Sequence, residues 1–387
     1  MATTWNTLLL HSKAKAPEGF RSLTTPVYRG STTLFTDASS VADNWNHDEA
    51  AYTYGLYGTP TTLELAARIA ELEQGYRCFI TPGGQSALAL IYFAYLEAGQ
   101  HVLVPESVYG PSRNFANGLL RRCGIDVELY PPLIGAGISA RIKDTTRLIW
   151  CESPGSVTME VQDVPAIAAA AHARGAIVAL DNTWAAGVLF DAFEHGVDVT
   201  MQALTKYVGG HSDLLLGSVT VRDEDNYQRV GVVRQQLGLA ASPDDCSLAL
   251  RGLQTMAVRL AAIEVSALRI AQWLARRPEI EAVLHPALPS CPGHETWARD
   301  FAGSSGLFSI VFVPSIDGAI VRRFVDSLTL FALGYSWGGV TSLAVPFEIP
   351  AARAGYGARL VRLNIGLEDT DDLIADLEHA LATVRTA

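Results

Sequence analysis

The sequence predicts an α/β protein: a large domain on a mostly parallel sheet, then a smaller C-terminal α+β domain. Three observations carry that expectation. Short apolar runs alternate with helical periods through the first two-thirds of the 387 residues, as buried parallel strands and their covering helices do. A long arginine-dotted helical stretch, roughly Leu248 to Arg277, ends the alternation. Beyond it a few strands and a closing helix complete the chain.

Residues 1–58 lack a clear period and read as an arm that packs on a neighbouring subunit. The large domain is taken as 59–252. Thr62 to Gln74 sets Leu65, Ile69 and Leu72 at helical spacing, and Gly75 stops that helix. Arg77 to Ile80 is a short strand, and Gly84 opens a second helix running to Glu97. His101 to Val104 is a strand ended by Pro105. Further strands are expected at Leu148 to Cys151, Ala176 to Leu180 and Val199 to Leu204, with a helix at Val164 to Arg174 between the first two. The C-terminal domain, 253–387, carries strands near Glu281 to Leu284, Leu307 to Val313 and Leu360 to Ile365. Thr370 stands where an N-cap belongs, with Asp371 and Asp372 in the first turn.

Composition removes several functional classes. With 49% apolar and 18% charged residues, wholesale disorder is excluded. A net charge of −11 argues against an extended footprint on nucleic acid or an anionic membrane. No apolar run approaches the roughly 18 residues of a membrane helix. Leu8-Leu9-Leu10 is followed, not preceded, by Lys13 and Lys15, which is not the order of a signal peptide. The five cysteines include no C-x-x-C pair and read as reduced thiols of a cytoplasmic protein. The nine histidines form no H-E-x-x-H and no Cys/His ligand spacing, so no metal site is expected.

Lysine is scarce: only Lys13, Lys15, Lys143 and Lys206 stand among 29 basic residues. Base composition that favours arginine codons accounts for the ratio as readily as function does. It does not account for Lys206, which sits among apolar or small residues in Met201-Gln202-Ala203-Leu204-Thr205-Lys206-Tyr207. A buried ammonium is costly unless paired or deprotonated. A desolvated amine of lowered pKa is also what Schiff-base chemistry requires.

In open parallel sheets, ligands bind beyond the carboxyl ends of the strands. Three such ends carry chemistry. Thr81-Pro82-Gly83-Gly84-Gln85-Ser86 is either an ordinary strand-to-helix turn or an anion cradle, since glycines open the backbone N–H groups and the helix N-terminus adds positive potential. Asp181 ends the strand Ala176 to Leu180, as a helix cap or a charge partner. Thr205 and Lys206 follow the third strand. A phosphate cradle, a carboxylate for a ring nitrogen and one amine for an aldehyde together suit pyridoxal phosphate. Gly135-Ala136-Gly137-Ile138-Ser139-Ala140 matches a dinucleotide pattern. Pro131 and Pro132 interrupt the strand that should lead into it, so no nucleotide site is expected there.

Longer runs then become recognisable: Glu152-Ser153-Pro154-Gly155-Ser156, Asp181-Asn182-Thr183-Trp184-Ala185-Ala186-Gly187, Ala203-Leu204-Thr205-Lys206-Tyr207, Tyr335-Ser336-Trp337-Gly338-Gly339 and Arg362-Leu363-Asn364-Ile365-Gly366-Leu367-Glu368. Over nearly the whole chain the sequence resembles the Cys/Met-metabolism family of pyridoxal-phosphate enzymes. The Ser336-Trp337-Gly338 run leans towards its β-lyases. The resemblance implies the aspartate-aminotransferase-type, PLP-dependent transferase-like fold. It implies that Lys206 carries the cofactor as a Schiff base and moves the α-proton. Asp181 would hold the pyridinium nitrogen, Tyr109 would stack on the ring, and Gly84, Gln85 and Thr205 would hold the phosphate. Arg362 would clamp the substrate α-carboxylate, with Ser336 and Trp337 beside the substrate. Tyr54 would reach the site from a neighbouring subunit, in a homotetramer built as a dimer of dimers.

One position departs from the family. An arginine that binds the phosphate across the interface is expected two residues after Tyr54, and here that residue is Leu56. Either the cofactor is held more loosely or another donor, such as Tyr57, replaces it. The implied reaction is β-elimination from cystathionine or a similar S-substituted cysteine, giving a thiol, pyruvate and ammonia, as in methionine biosynthesis. Rival readings are an amino-acid racemase or another carbon–sulfur lyase on the same residues, a weakly active or purely binding relative, and a nicotinamide oxidoreductase at Gly135.

Overall fold

The computed structural model describes residues 4–10, 22–350 and 354–385. In chain order the elements are α1 (Trp5–Leu8), α2 (Pro60–Leu72), β1 (Arg77–Thr81), α3 (Gly84–Tyr95), β2 (His101–Pro105), α4 (Gly110–Phe115), β3 (Asp126–Tyr130), β4 (Thr146–Glu152), α5 (Val164–His172), β5 (Ile177–Asp181), β6 (Val199–Gln202) and β7 (Gly217–Val221). There follow α6 (Glu224–Leu237), α7 (Pro243–Leu274), β8 (Ile280–Leu284), α8 (His294–Asp300), β9 (Leu307–Phe312), α9 (Gly318–Asp326), β10 (Ala332–Leu333), β11 (Leu343–Ile349), β12 (Gly357–Asn364) and α10 (Thr370–Arg385).

The large sheet has seven strands in the order β1-β7-β6-β5-β4-β2-β3. The pairings among β6, β5, β4, β2 and β3 are parallel, and β7 runs antiparallel to both its neighbours. Successive strand residues point to opposite faces, and both faces are buried. Val102, Val104, Leu148 and Trp150 pack with Leu88, Ile91 and Tyr92 of α3. Leu103, Ile149, Cys151, Val178 and Leu180 pack with Val164, Ile167 and Ala171 of α5. That two-sided burial is why these strands read as unbroken apolar runs. β3 alternates as an edge strand does, and β7 is Gly-Ser-Val-Thr-Val, whose hydroxyls disguise a fully buried strand. Neither stands out in the sequence.

The C-terminal sheet has the order β10-β11-β12-β9-β8. Pro346 masks β11 in the sequence. It is tolerated because β10 pairs only with Leu343 and Ala344, so Pro346 lies on an open edge. The inferred domain boundary at 252 falls inside α7, a single helix of 32 residues capped by Ser242. Its first half, from Cys246 to Ile263, packs with α2, and Ala267 to Leu274 belong to the C-terminal core. The cap of α10 also needs correction: the Asp369 carboxylate accepts from Asp371 N at 2.8 Å and Asp372 N at 3.4 Å. The Thr370 hydroxyl instead meets Ser266 at 2.9 Å.

Before α2 the described chain is largely irregular, with Leu23, Leu34 and Val41 exposed. Lys13 and Lys15 lie outside the described residues. The Gly135–Arg141 segment is a 3-10 helix, not a phosphate loop after a strand. All five cysteines are free, and only Cys123 is exposed. No helix among the described residues is long and apolar enough to cross a membrane. No cluster of His, Cys, Asp and Glu among them could hold a metal ion.

Candidate active site

A cavity of about 390 Å³ opens where β4, β5 and β6 end, between the large sheet and the C-terminal domain. Pro82, Gly83, Gly84, Gln85 and Ser86 line it at the start of α3. The Ser86 and Ala87 amides turn back to Gly83 O at 3.1 Å, while the Gly84 and Gln85 amides belong to the open first turn, whose donors have no intrahelical acceptor. A side chain at Gly84 would put its Cβ 2.9 Å from that of Ala203. Glycine there lets the helix start close against the end of β6, presenting N–H groups and the positive helix end to the cavity. Thr205 also lines it, but its hydroxyl accepts from Leu216 N at 3.1 Å and donates its proton to Leu216 O at 3.2 Å. To hold a phosphate, that proton must swing away from the carbonyl.

Asp181 and Glu152 end adjacent strands and are register partners, so two carboxylates reach the cavity side by side. Their partners separate their tasks. Thr183 donates to Asp181 Oδ1 from both its hydroxyl (2.5 Å) and its backbone N (3.0 Å), and the same hydroxyl accepts from Ala203 N at 2.9 Å. Burial pushes the Asp181 carboxyl up, opposed by Thr183 and by the Lys206 charge. Glu152 Oε2 accepts from Tyr109 N at 2.7 Å, fixing the residue that precedes α4. The Tyr109 ring lines the cavity, half exposed, and its hydroxyl is raised by burial and by Asp181 and Glu152.

Lys206 lines the same cavity. Its Nζ donates to Ser336 Oγ at 2.9 Å and lies 5.2 Å from the centre of the Trp337 ring. Burial, then the Arg362 charge, bring the amine down to about 8, with Asp181 pulling the other way. Arg362 is buried, 5% exposed. Among the described residues no carboxylate pairs with it. It donates to Tyr335 O and lies over the Phe347 ring at 5.1 Å. Burial brings this guanidinium down to about 10.

Tyr54 does not line this cavity. It sits half exposed in a separate surface hollow with Arg29, Ser31, Leu56 and Asp244. Tyr57 is not a spare donor, which corrects one sequence expectation: it is buried, and its hydroxyl binds Asp43 and accepts from Gln235 at 2.9 Å. Arg234, also buried, holds this segment by donating to Leu56 O (3.1 Å) and Tyr57 O (3.4 Å).

The donor set fits pyridoxal phosphate. Open first-turn amides suit its phosphate, Asp181 its ring nitrogen, and a lowered-pKa amine its aldehyde. Of the residues singled out in the sequence, Gly84, Gln85, Tyr109, Asp181, Thr205, Lys206 and Trp337 line one cavity. Ser336 and Arg362 reach it through Lys206. Glu152 as the anchor of Tyr109, and Thr183 as the holder of Asp181, were missed. Both lie within quoted runs, but only strand register shows what they touch.

A family model described as Cys/Met metabolism PLP-dependent enzyme matches residues 6–382. A putative cystathionine beta-lyase of Rhizobium johnstonii is 45% identical over 363 residues, covering 92% of this chain and 90% of its own. Cystathionine beta-lyase MetC of Escherichia coli is 42% identical over 340 residues, covering 86% of each. Among solved structures, cystathionine gamma synthase from Xanthomonas oryzae pv. oryzae, in complex with aminoacrylate and cysteine, superposes with a TM-score of 0.92. It is 29% identical and covers 100% of both chains.

Proposed function

The chain belongs to the Cys/Met-metabolism family of PLP-dependent enzymes, and from that premise we propose that it is a carbon–sulfur β-lyase acting on cystathionine or a similar S-substituted cysteine. The observation that carries the reading is the Lys206 amine, lowered to about 8 in the cavity that Asp181 and the opening of α3 share. Relatives named cystathionine beta-lyase support the choice of reaction.

Gly84, Gln85 and Thr205 would hold the cofactor phosphate, Asp181 its ring nitrogen, Tyr109 its face and Lys206 its aldehyde carbon. Bound there, the cofactor supplies a protonated ring that accepts the electron pair left at Cα. Arg362 binds the substrate carboxylate as a planar two-pronged donor, with Trp337 beside the side chain. Lys206 Nζ takes the α-proton, and Ser336 Oγ keeps that amine aimed. The Cβ–S bond breaks with its electrons on sulfur, which takes a proton from Lys206 or Tyr54. Water then completes pyruvate and ammonia. Tyr54 serves the cavity of a neighbouring subunit, in a cytoplasmic dimer of dimers.

The test is purified protein with cystathionine. Free thiol and pyruvate in equal amounts are expected. Thiol without pyruvate excludes the route, and conversion of L-alanine to its mirror image without pyruvate assigns a racemase instead.

A further inference from the structure

The stretch between β4 and α5 is buried almost throughout, where loops ordinarily run over the surface. Pro154, Gly155, Ser156 and Met159 make it one wall of the cavity. Its turn holds two left-handed residues that are not glycine, Val157 at φ 73° and Met159 at φ 58°. For a β-branched side chain that conformation is an outlier. It persists where the surroundings over-determine it, and such places cluster at functional sites.

Here the surroundings come from the C-terminal domain. Ser309 Oγ donates to Val157 O at 2.6 Å, Cys291 Sγ to Met159 O at 3.3 Å, and Pro292 O accepts from Val161 N at 2.9 Å. Ser309 is fully buried on β9, directly opposite Arg362 on β12. Directly opposed residues of an antiparallel pair share a face of the sheet. One cross-strand pair therefore reaches the site twice: through the guanidinium, and through the hydroxyl that holds the wall.

We propose that Ser309 is a positioning residue for amino-acid binding. It locks the Val157–Met159 turn and so sets the wall carrying Ser156 and Met159 against Arg362. This rests on the reading of Arg362 as the carboxylate clamp of an amino-acid site.

The test uses holoenzyme of wild type, Ser309→Ala, Val157→Gly and the double variant. The dissociation constant for L-alanine is read from the cofactor's visible absorbance, which needs no carbon–sulfur cleavage, and KM and kcat are measured with cystathionine. Ser309→Ala is expected to weaken L-alanine binding and raise KM about fivefold, the loss of one ordinary hydrogen bond, with kcat changed less than about twofold. Adding Val157→Gly should recover much of the binding, because glycine takes positive φ without help. A Ser309→Ala protein that melts earlier yet binds L-alanine as wild type does would overturn the proposal, as would a double variant no better than the single. If Ser309→Ala does not fold, Ser309→Cys, a weaker donor of similar size, is expected to lie between, and wild-type binding by it would refute the idea. Wild type that binds L-alanine but makes no pyruvate defeats the lyase reading alone; wild type that binds no amino acid defeats both.

Discussion

Arg362→Met should leave the stability of the apoprotein nearly unchanged while crippling substrate binding. The guanidinium is 5% exposed and has no carboxylate partner among the described residues. Its fall from 12.5 to about 10 corresponds to about 3 kcal/mol of unfavourable charge burial, at about 1.4 kcal/mol per decade. Against that stand one charge-assisted hydrogen bond to Tyr335 O, about 1.5–3 kcal/mol, and the contact over Phe347, about 1 kcal/mol. Methionine fills similar volume without the charge, so the opposing contributions cancel to within about 1 kcal/mol. Unfolding entropy of about 2 cal/mol/K per residue keeps the resulting Tm change within about 1–2 °C for a chain of 387 residues. Losing a charge-assisted bond to the substrate carboxylate costs about 1.5–3 kcal/mol, or a KM increase of roughly ten- to 150-fold. Scanning calorimetry of the apoprotein and steady-state kinetics of the holoenzyme check the two halves. A Tm several degrees lower with KM within about threefold of wild type would show Arg362 to be a structural residue, and the reasoning would fail.

Further outcomes are expected elsewhere. Borohydride reduction of holoenzyme should fix the cofactor on Lys206, seen by mass spectrometry, and Lys206→Ala should give no such adduct; rebinding of pyridoxal phosphate to apoprotein should accelerate as pH rises through about 8, where the free amine appears, and not near 10.5. Glu73 is buried and its carboxyl is raised by burial, so the folded chain keeps a proton that the unfolded chain loses above about 4.5. Stability should therefore fall with rising pH above that point, by at most about 1.4 kcal/mol per pH unit. Glu73→Gln, still able to accept from Thr220, should flatten the dependence in urea titrations at pH 5 and 8; parallel curves would contradict the assignment. Dialysed side by side, Leu56→Arg should retain cofactor longer than wild type, by roughly ten- to 150-fold in affinity if a charge-assisted bond is restored. Equal retention removes the loose-binding idea.

The site was legible where chemistry and chain order coincide. Lys206, Asp181 and the Gly84 turn each follow a buried strand, and parallel topology obliges such positions to converge at one edge. What escaped was lateral. Glu152 could be placed at a strand end, but its bond to Tyr109 N joins segments 43 residues apart. Thr183 reads as ordinary turn chemistry until its hydroxyl is seen bridging Asp181 and Ala203. Tyr57 looked available as a donor because nothing in the local sequence announces Asp43 and Gln235 around its hydroxyl.

By itself the sequence determined the layered architecture, because two-sided burial writes itself as apolar runs and one-sided burial as helical periods. It also singled out Lys206 as the candidate amine, since few surroundings explain a lysine among apolar neighbours. Only the tertiary structure decided how the two domains share the cavity. Ser309 and Arg362 are 53 residues apart in sequence, and their joint hold on the site exists only once β9 and β12 pair. Hydrogen bonds act over about 3 Å, so partners distant along the chain are set by folding and cannot be read from spacing.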